Sequence, residues 1–290
     1  MVGAAPGVAR RRGGPRNERE VVAVYGVLGG VVVVGGSLLL TLLAVVVVRR
    51  LVSHQTLARH NDVAGFVYAT TGVTYAVVLA FVVIAVWENY ADAREVADRE
   101  ASAMGVLFRL SNGFPDPHRA AAQEALLGYA EAAVEEEWPA MEDGEAPSPK
   151  TSQALDDLFA VYARPDFVAA VNPEQYGESL AQMNEVSVAR RGRVLASHSG
   201  LPSVLWVVLL GGGVLVVAFA FLFGVESPYS QAAIMGALTV TIAMLLYVVA
   251  DAQHPFRGGF TVKPEGLESV LAQFGHAGGP TPAPTATPTP

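Results

Sequence analysis

The sequence predicts an all-α integral membrane protein with four transmembrane helices and a cytosolic helical region between the second and third. Three observations carry this. Of 290 residues, 52% are hydrophobic and only 16% are charged, against about 25% charged in ordinary soluble domains. The mean hydropathy is +0.37. The charges are segregated: four long stretches have none, and residues 87–200 between the second and third hold 20 Asp and Glu against 9 Lys and Arg, a net of −11.

Each stretch matches a membrane crossing. A hydrocarbon core of about 30 Å needs about 20 apolar helical residues. Val21–Val48 has 28 uncharged residues, Val63–Val86 has 24, Leu201–Val225 has 25 and Ser227–Ala250 has 24. Lipid-embedded backbone must satisfy its own polar groups, so only helices or closed barrels cross. Barrel strands alternate over about ten residues, and these runs are longer and continuous. A cleavable signal peptide fits the first run poorly, because its apolar core is too long and no Ala-x-Ala site follows. The organisation is therefore a basic tail over 1–20, helices at 21–48 and 63–86 joined by a loop at 49–62, the acidic region 87–200, helices at 201–225 and 227–250, and a C-terminal tail over 251–290 that is disordered from about 278.

Lys and Arg near helix ends set orientation. The turn at Glu226 has neither, so it faces outward. Arg190, Arg191, Arg193, Arg257 and Lys263 then flank the cytoplasmic side, as do the five Arg of the first twenty residues. Four crossings place both termini in the cytoplasm, at the plasma membrane. Arg49, Arg50 and Arg59 in the first loop count against this orientation.

Residues 87–200 read as a series of helices. Glu88–Ser111 continues from the second span, with Trp87, Tyr90, Ala97, Ala101, Met104 and Phe108 on one face and the pairs Arg94/Asp98 and Glu95/Arg99 on the other. Asn112-Gly113 and Pro115 stop it. Asp116-Pro117 predicts a cap and a second helix, which runs through Leu126, Leu127, Tyr129 and Val134 to about Trp138-Pro139. Glu142–Lys150 predicts a loop, and Ser152–Ala163 a short helix. Asn172-Pro173 caps a last helix carrying Tyr176, Leu180, Met183, Val186, Val194 and Leu195.

The residues exclude several chemistries. With no Cys there is no disulfide, thiolate site or cysteine nucleophile. His54 and His60 lack helical metal-ligand spacing. Glu135-Glu136-Glu137 point about 100° apart on a helix and predict a solvated face, not a metal site. No Gly-x-Ser-x-Gly or phosphate-cradling Gly motif is present, so neither an enzyme nor a cofactor is expected. The acidic middle repels nucleic acid. Gly211-Gly212-Gly213, and Gly26 with Gly30, predict close helix packing. No ionisable residue lies mid-span, which argues against a proton-coupled pump. Val73, Val77 and Phe81 recur every four residues on the second span, beside Thr70 and Thr74. Such a stripe is either packing surface or an apolar pore neck that gates by dewetting.

The run from Gly72 to Tyr90 (including Tyr75, Trp87 and Glu88), with Ala93, Glu95 and Glu100 after it, resembles the bestrophin-like family of bacterial membrane proteins. So do Glu137-Trp138, Leu201-Pro202 with Leu205-Trp206, and Asp251 followed by Pro255-Phe256-Arg257-Gly258. The likeness runs from about Gly65 to Leu271. It implies kinship with bestrophins: pentameric anion channels with four membrane helices, a cytosolic helical region, and a neck lined by the second membrane helix. By that resemblance Val73, Val77 and Phe81 are neck positions, and the partners are the lipid bilayer, further copies of the chain and an inorganic anion. The calcium cluster that bestrophins carry beyond the fourth helix is reduced here to Asp251, followed by Ala252 and Gln253, so calcium gating is not expected. The alternative is a non-conducting membrane scaffold or sensor that binds a partner through its acidic helices.

Overall fold

The computed structural model describes residues 15–51, 61–223, 225 and 227–277, and every regular element among them is helical. The helices are α1 Pro15–Leu51, α2 Asn61–Ser111, α3 His118–Ala132, α4 Trp138–Asp143, α5 Pro149–Tyr162, α6 Pro165–Ala170, α7 Pro173–Ser197, α8 Ser203–Ala220, α9 Pro228–Ala252 and α10 Glu265–Ala277. A π-turn, Ala133–Glu137, joins α3 to α4. The arginines at 10–12, most of the 49–62 loop, Glu226 and the tail from 278 lie outside the described residues. The chain divides into an apolar unit, residues 1–83 and 202–251, and a polar unit, residues 84–201 and 252–290.

In the apolar unit, Leu28–Leu51 of α1, the first half of α2, α8 and α9 are long and apolar enough to cross a membrane. The third is shorter than the uncharged run 201–225. Pro202, which has no N–H to donate, stands at its N-cap, and the helix ends at Ala220. The helices meet through small residues, as lipid-embedded helices do. Tyr75 of α2 lies against Gly212 and Gly213 of α8, and Tyr247 of α9 against Gly30 of α1. Gly211 faces open space. The Thr41 and Thr239 hydroxyls share a hydrogen bond of 3.0 Å. At one end, Arg49 Nη2 donates to the Val225 carbonyl (3.0 Å), and Tyr68 meets Phe223 edge-on.

The polar unit has a water-built core. Met104 and Leu107 of α2, Leu126 of α3, Leu158 of α5, Met183 of α7, Phe256 between α9 and α10, and Leu267 of α10 are all buried within it. Two helices have side-chain caps, of which the sequence reading expected the one at Asn172. Ser148 Oγ accepts from Thr151 N ahead of α5, so that helix starts inside the expected loop, and Asn172 Oδ1 accepts from Glu174 N ahead of α7. Each is followed by Pro at the first helical position, where its missing N–H costs nothing. Asp116 does not cap α3. Its carboxylate accepts from Arg119 Nη2 instead, and the helix starts at His118.

Three elements depart from expectation. The helix predicted to end near Pro139 continues to Asp143, because the π-turn precedes the proline: Trp138 N–H reaches back to the Ala133 carbonyl, and Pro139 falls in the first turn of α4. Gly144 ends α4 with φ 77, and a Cβ there would overlap the Arg257 guanidinium. α6 arises between Arg164 and Val171 with no prior signal. Finally, much of the segment read as a C-terminal tail is structured. α10 buries Leu267, Val270 and Phe274, with Phe274 stacked 4.3 Å from Phe108.

Candidate functional site

In the apolar unit α2 has a fixed rotation. Tyr75 and Leu79 are buried on one side, and the Tyr75 hydroxyl donates to the Leu209 carbonyl at 3.1 Å. At 100° per residue, Val73, Val77 and Phe81 fall on the opposite side. They are 66%, 50% and 68% exposed in the chain. Thr70 and Thr74 return their hydroxyls to the Phe66 and Thr70 carbonyls, so neither offers a free donor to the stripe. Gly72 has nothing within 4 Å of a notional Cβ. A surface of this kind cannot coordinate an ion.

The remaining motif residues divide by role. Trp87 and Glu88 are exposed, and Tyr90, half-buried, lies 6.0 Å from the Trp87 ring. The expected apolar face thus begins at Tyr90 and Ala93, not at Trp87. Trp87 and Tyr90 border a shallow groove of about 370 Å³ that continues past Arg94 and Asp98 to Ser102. The expected ion pairs, Arg94 with Asp98 and Glu95 with Arg99, stand on that exposed side. Asp251 lies in the last turn of α9 and is part-exposed. Pro255, Phe256 and Gly258 form a hook after it. The Pro255 carbonyl accepts from Val262 N, Phe256 is buried edge-on to Trp138, and Gly258 adopts φ 89. Arg257 Nε donates to the Met141 carbonyl.

The hook closes over a buried charge network that the sequence reading missed. Arg193 of α7 has no solvent exposure. Its Nε and Nη2 clamp the Glu100 carboxylate of α2 at 2.6 and 2.9 Å, and Nη2 also reaches Glu137 at 2.9 Å. Arg190 takes the other side of Glu137 at 2.6 and 3.1 Å and reaches Ser152 Oγ. The Arg193 guanidinium lies 4.4 Å over the Trp138 ring. The Tyr129 hydroxyl donates to Glu100 Oε1 at 2.6 Å. Two arginines balance two glutamates, so the network is neutral. Burial pulls the Arg193 pKa down, but Glu100 beside it more than offsets this, and the group stays charged. Burial first, then the Glu100 charge, pushes the Tyr129 phenol well above its usual range.

Several expectations change. Glu137 is fully buried and ion-paired, while Glu135 is exposed and Glu136 bonds Lys150. The three therefore do not share a solvated face: the π-turn re-aims Glu137 and Trp138 toward one guanidinium. Arg190 and Arg193, counted above as flank charges, are engaged by buried carboxylates. Of the apolar residues that α7 carries, Leu180 and Leu195 face outward. A signal existed for the network. Arg193 lies seven residues after Val186 on the buried row of α7, and Glu100 sits between Ala97 and Met104 on that of α2. A charge inside an apolar row predicts a buried partner. Among the described residues no cluster of three His, Asp or Glu is placed to hold a metal.

Comparison with known proteins follows from this geometry. No curated protein matches the chain. Several solved structures share its fold. A bacterial bestrophin homologue from Klebsiella pneumoniae superposes with a TM-score of 0.63 at 15% identity, over 82% of this chain and 96% of that one. A single-substitution form of the homologue from the same organism gives 0.66 at 14%, over 85% and 99%. Another gives 0.67 at 13%, over 83% and 97%. The Bestrophin-like domain itself matches residues 35–267, which include the α2 stripe, all four network charges and the hook. The chain is a membrane protein of the Bestrophin-like family.

Proposed function

We propose that the chain forms a homo-oligomer, a pentamer on the bestrophin pattern, in which α2 helices surround an ion path and Val73, Val77 and Phe81 form its neck. The conducted species is an inorganic anion, the bilayer is the plasma membrane, and both termini face the cytoplasm. The protein acts as a channel and not as an enzyme. The observation that carries this reading is the stripe: three large apolar side chains lie outside the chain's own packing, opposite the side anchored by Tyr75. A narrow apolar ring holds back hydrated ions by dewetting. Of the three arginines that count against this orientation, Arg49 and Arg50 lie in the last turn of α1, and Arg49 donates to the Val225 carbonyl.

The test is anion flux in proteoliposomes of wild type, Val77→Ala and Phe81→Ala. Shorter side chains widen the neck, so flux rises or its gating relaxes in both. Unchanged flux in both removes these residues from the conduction path. The second reading, a scaffold or sensor, draws support from the exposed glutamates of α3 and the π-turn, Glu124, Glu131 and Glu135. It predicts no flux and a protein partner that is lost when these three become Gln.

A further inference from the structure

α7 has one satisfied side and one bare side. Met183, Val186, Ala189, Arg193 and Ser197 are buried. On the other side Leu180, Ala181, Val188 and Leu195 are exposed, Leu195 at 74%. Ala181, Val188 and Leu195 recur every seven residues, and Gly177, Asn184 and Arg191 recur every seven between them, all exposed. Alternating spacings of four and three place these residues on one side of the helix, with an apolar row of Ala181, Val188 and Leu195 along it. This seam runs for about 27 Å.

Arg191 is an exposed cation toward the C-terminal end of this side, whose first two turns carry the exposed Glu174 and Glu178, and it is at Arg191 that a partner of opposite charge fits. Two such seams in parallel register would set Arg191 against Arg191, and a partner that places carboxylates at Arg191 avoids this repulsion. α3 and the π-turn offer the opposite surface in the same unit. Glu124, Glu131 and Glu135 are exposed along one side, and Gly128 between them has nothing within 4 Å of a notional Cβ. Half-buried Ala121, Ala125 and Ala132 form a floor of small side chains beside them, shallow enough to seat the leucines and valine of α7.

We propose that the α7 seam of one copy docks on the acidic α3 row of a second copy, with Arg191 meeting Glu131 and its neighbours. The contact is heterologous, and head-to-tail contacts of this type close into rings when the rotation permits. The proposal rests on the oligomeric reading above and adds the surfaces that build it.

The chain has no cysteine, so introduced thiols report alone. Arg191→Cys combined with Glu131→Cys should form disulfide-linked ladders in native membranes on oxidation, and neither single variant should. No ladder from the pair overturns the docking. In parallel, native mass spectrometry should show that Arg191→Glu and Glu131→Arg each weaken the oligomer by about tenfold, the loss of one good interface contact, and that the double reversal restores it. Both side chains are exposed in the chain, so its own core is untouched, and helical circular dichroism checks this. An oligomer unaffected by either reversal overturns the proposal while leaving the channel reading intact. Ladders without any flux sink the channel reading alone. A monomeric wild type sinks both.

Discussion

The two units solve the same problem, holding helices together, with opposite means. The apolar unit has a thin interior. Its described cluster of Val45, Ala220 and Met235 is small, and Leu28, Val31, Leu40 and many others point outward. Its helices meet through rings on glycines and isolated hydrogen bonds. Lipid is as apolar as leucine, so burying leucine gains little there, and shape and polar contacts decide. The polar unit has a continuous apolar core, and within it four charges. Water drives that core together, and the charges it traps must then pair with one another. One unit therefore rests on close steric fits, and the other on a core with a few paired charges inside it.

Breaking the network is the sharpest way to expose this difference. Arg193→Met leaves Glu100 and Glu137 buried with one partner fewer, a loss of about 3–5 kcal/mol. Arg193→Lys recovers little, because an ammonium neither clamps a carboxylate with two donors nor stacks on Trp138. Thermal unfolding of the detergent-solubilised protein should show an early transition in both variants. A melting temperature unchanged in Arg193→Met means the network contributes no stability.

Alkaline pH loads the polar unit without mutation. An exposed phenol ionises near 10. Tyr129 and Tyr162 of the polar unit are held higher by burial, with the Glu100 charge added at Tyr129. Their folded values are raised, so the stability they contribute is complete below pH 10. It falls as pH climbs from there toward the folded values, by about 1.4 kcal/mol per pH unit for each tyrosine. Melting curves between pH 8 and pH 11 should be flat at first and then decline, and Tyr129→Phe should reduce the slope of the decline. A slope unaltered in that variant assigns the alkaline loss elsewhere.

In the apolar unit the largest single effect is steric. A Cβ at Gly212 would lie 2.6 Å from the Tyr75 ring, so Gly212→Val must displace the ring and with it the bond to Leu209. Overpacking of this kind costs about 1–3 kcal/mol. Tyr75→Phe, which removes only the hydrogen bond, costs about 0.6 kcal/mol by the average for interhelical bonds in membranes. SDS titration should rank them in that order. The reverse order means that the hydroxyl, and not the ring on Gly212, anchors α2.

What the sequence made legible follows the same division. The four spans could be read because each is a local composition signal. The stripe of Val73, Val77 and Phe81 could be read because period and exposure coincide on one helix. The network could not, because its partners lie 93, 56 and 53 residues apart, and only their positions inside apolar rows hinted at burial. The π-turn was hidden for a different reason: nothing in Ala133–Glu137 marks a wider turn, and Pro139 looked like a stop. α10 was passed over because its apolar row, Leu267, Val270 and Phe274, is short and stands next to a Pro-rich end.

The last predicted effect has the opposite sign to the rest. The Tyr162 hydroxyl is buried and has no hydrogen-bond partner, while its ring packs against Phe167 and Phe114. In the unfolded chain water satisfies that hydroxyl, and in the fold nothing does. Stranding such a group costs about 1–3 kcal/mol. Tyr162→Phe keeps the ring contacts and removes the stranded group, at the expense of a void smaller than a methyl. The gain is therefore only part of the stranding cost, up to about 1 kcal/mol. Melting of the variant should come at or slightly above wild type at neutral pH. A clear fall would mean that the hydroxyl has a bound water as its partner, and that this part of the polar core is wet.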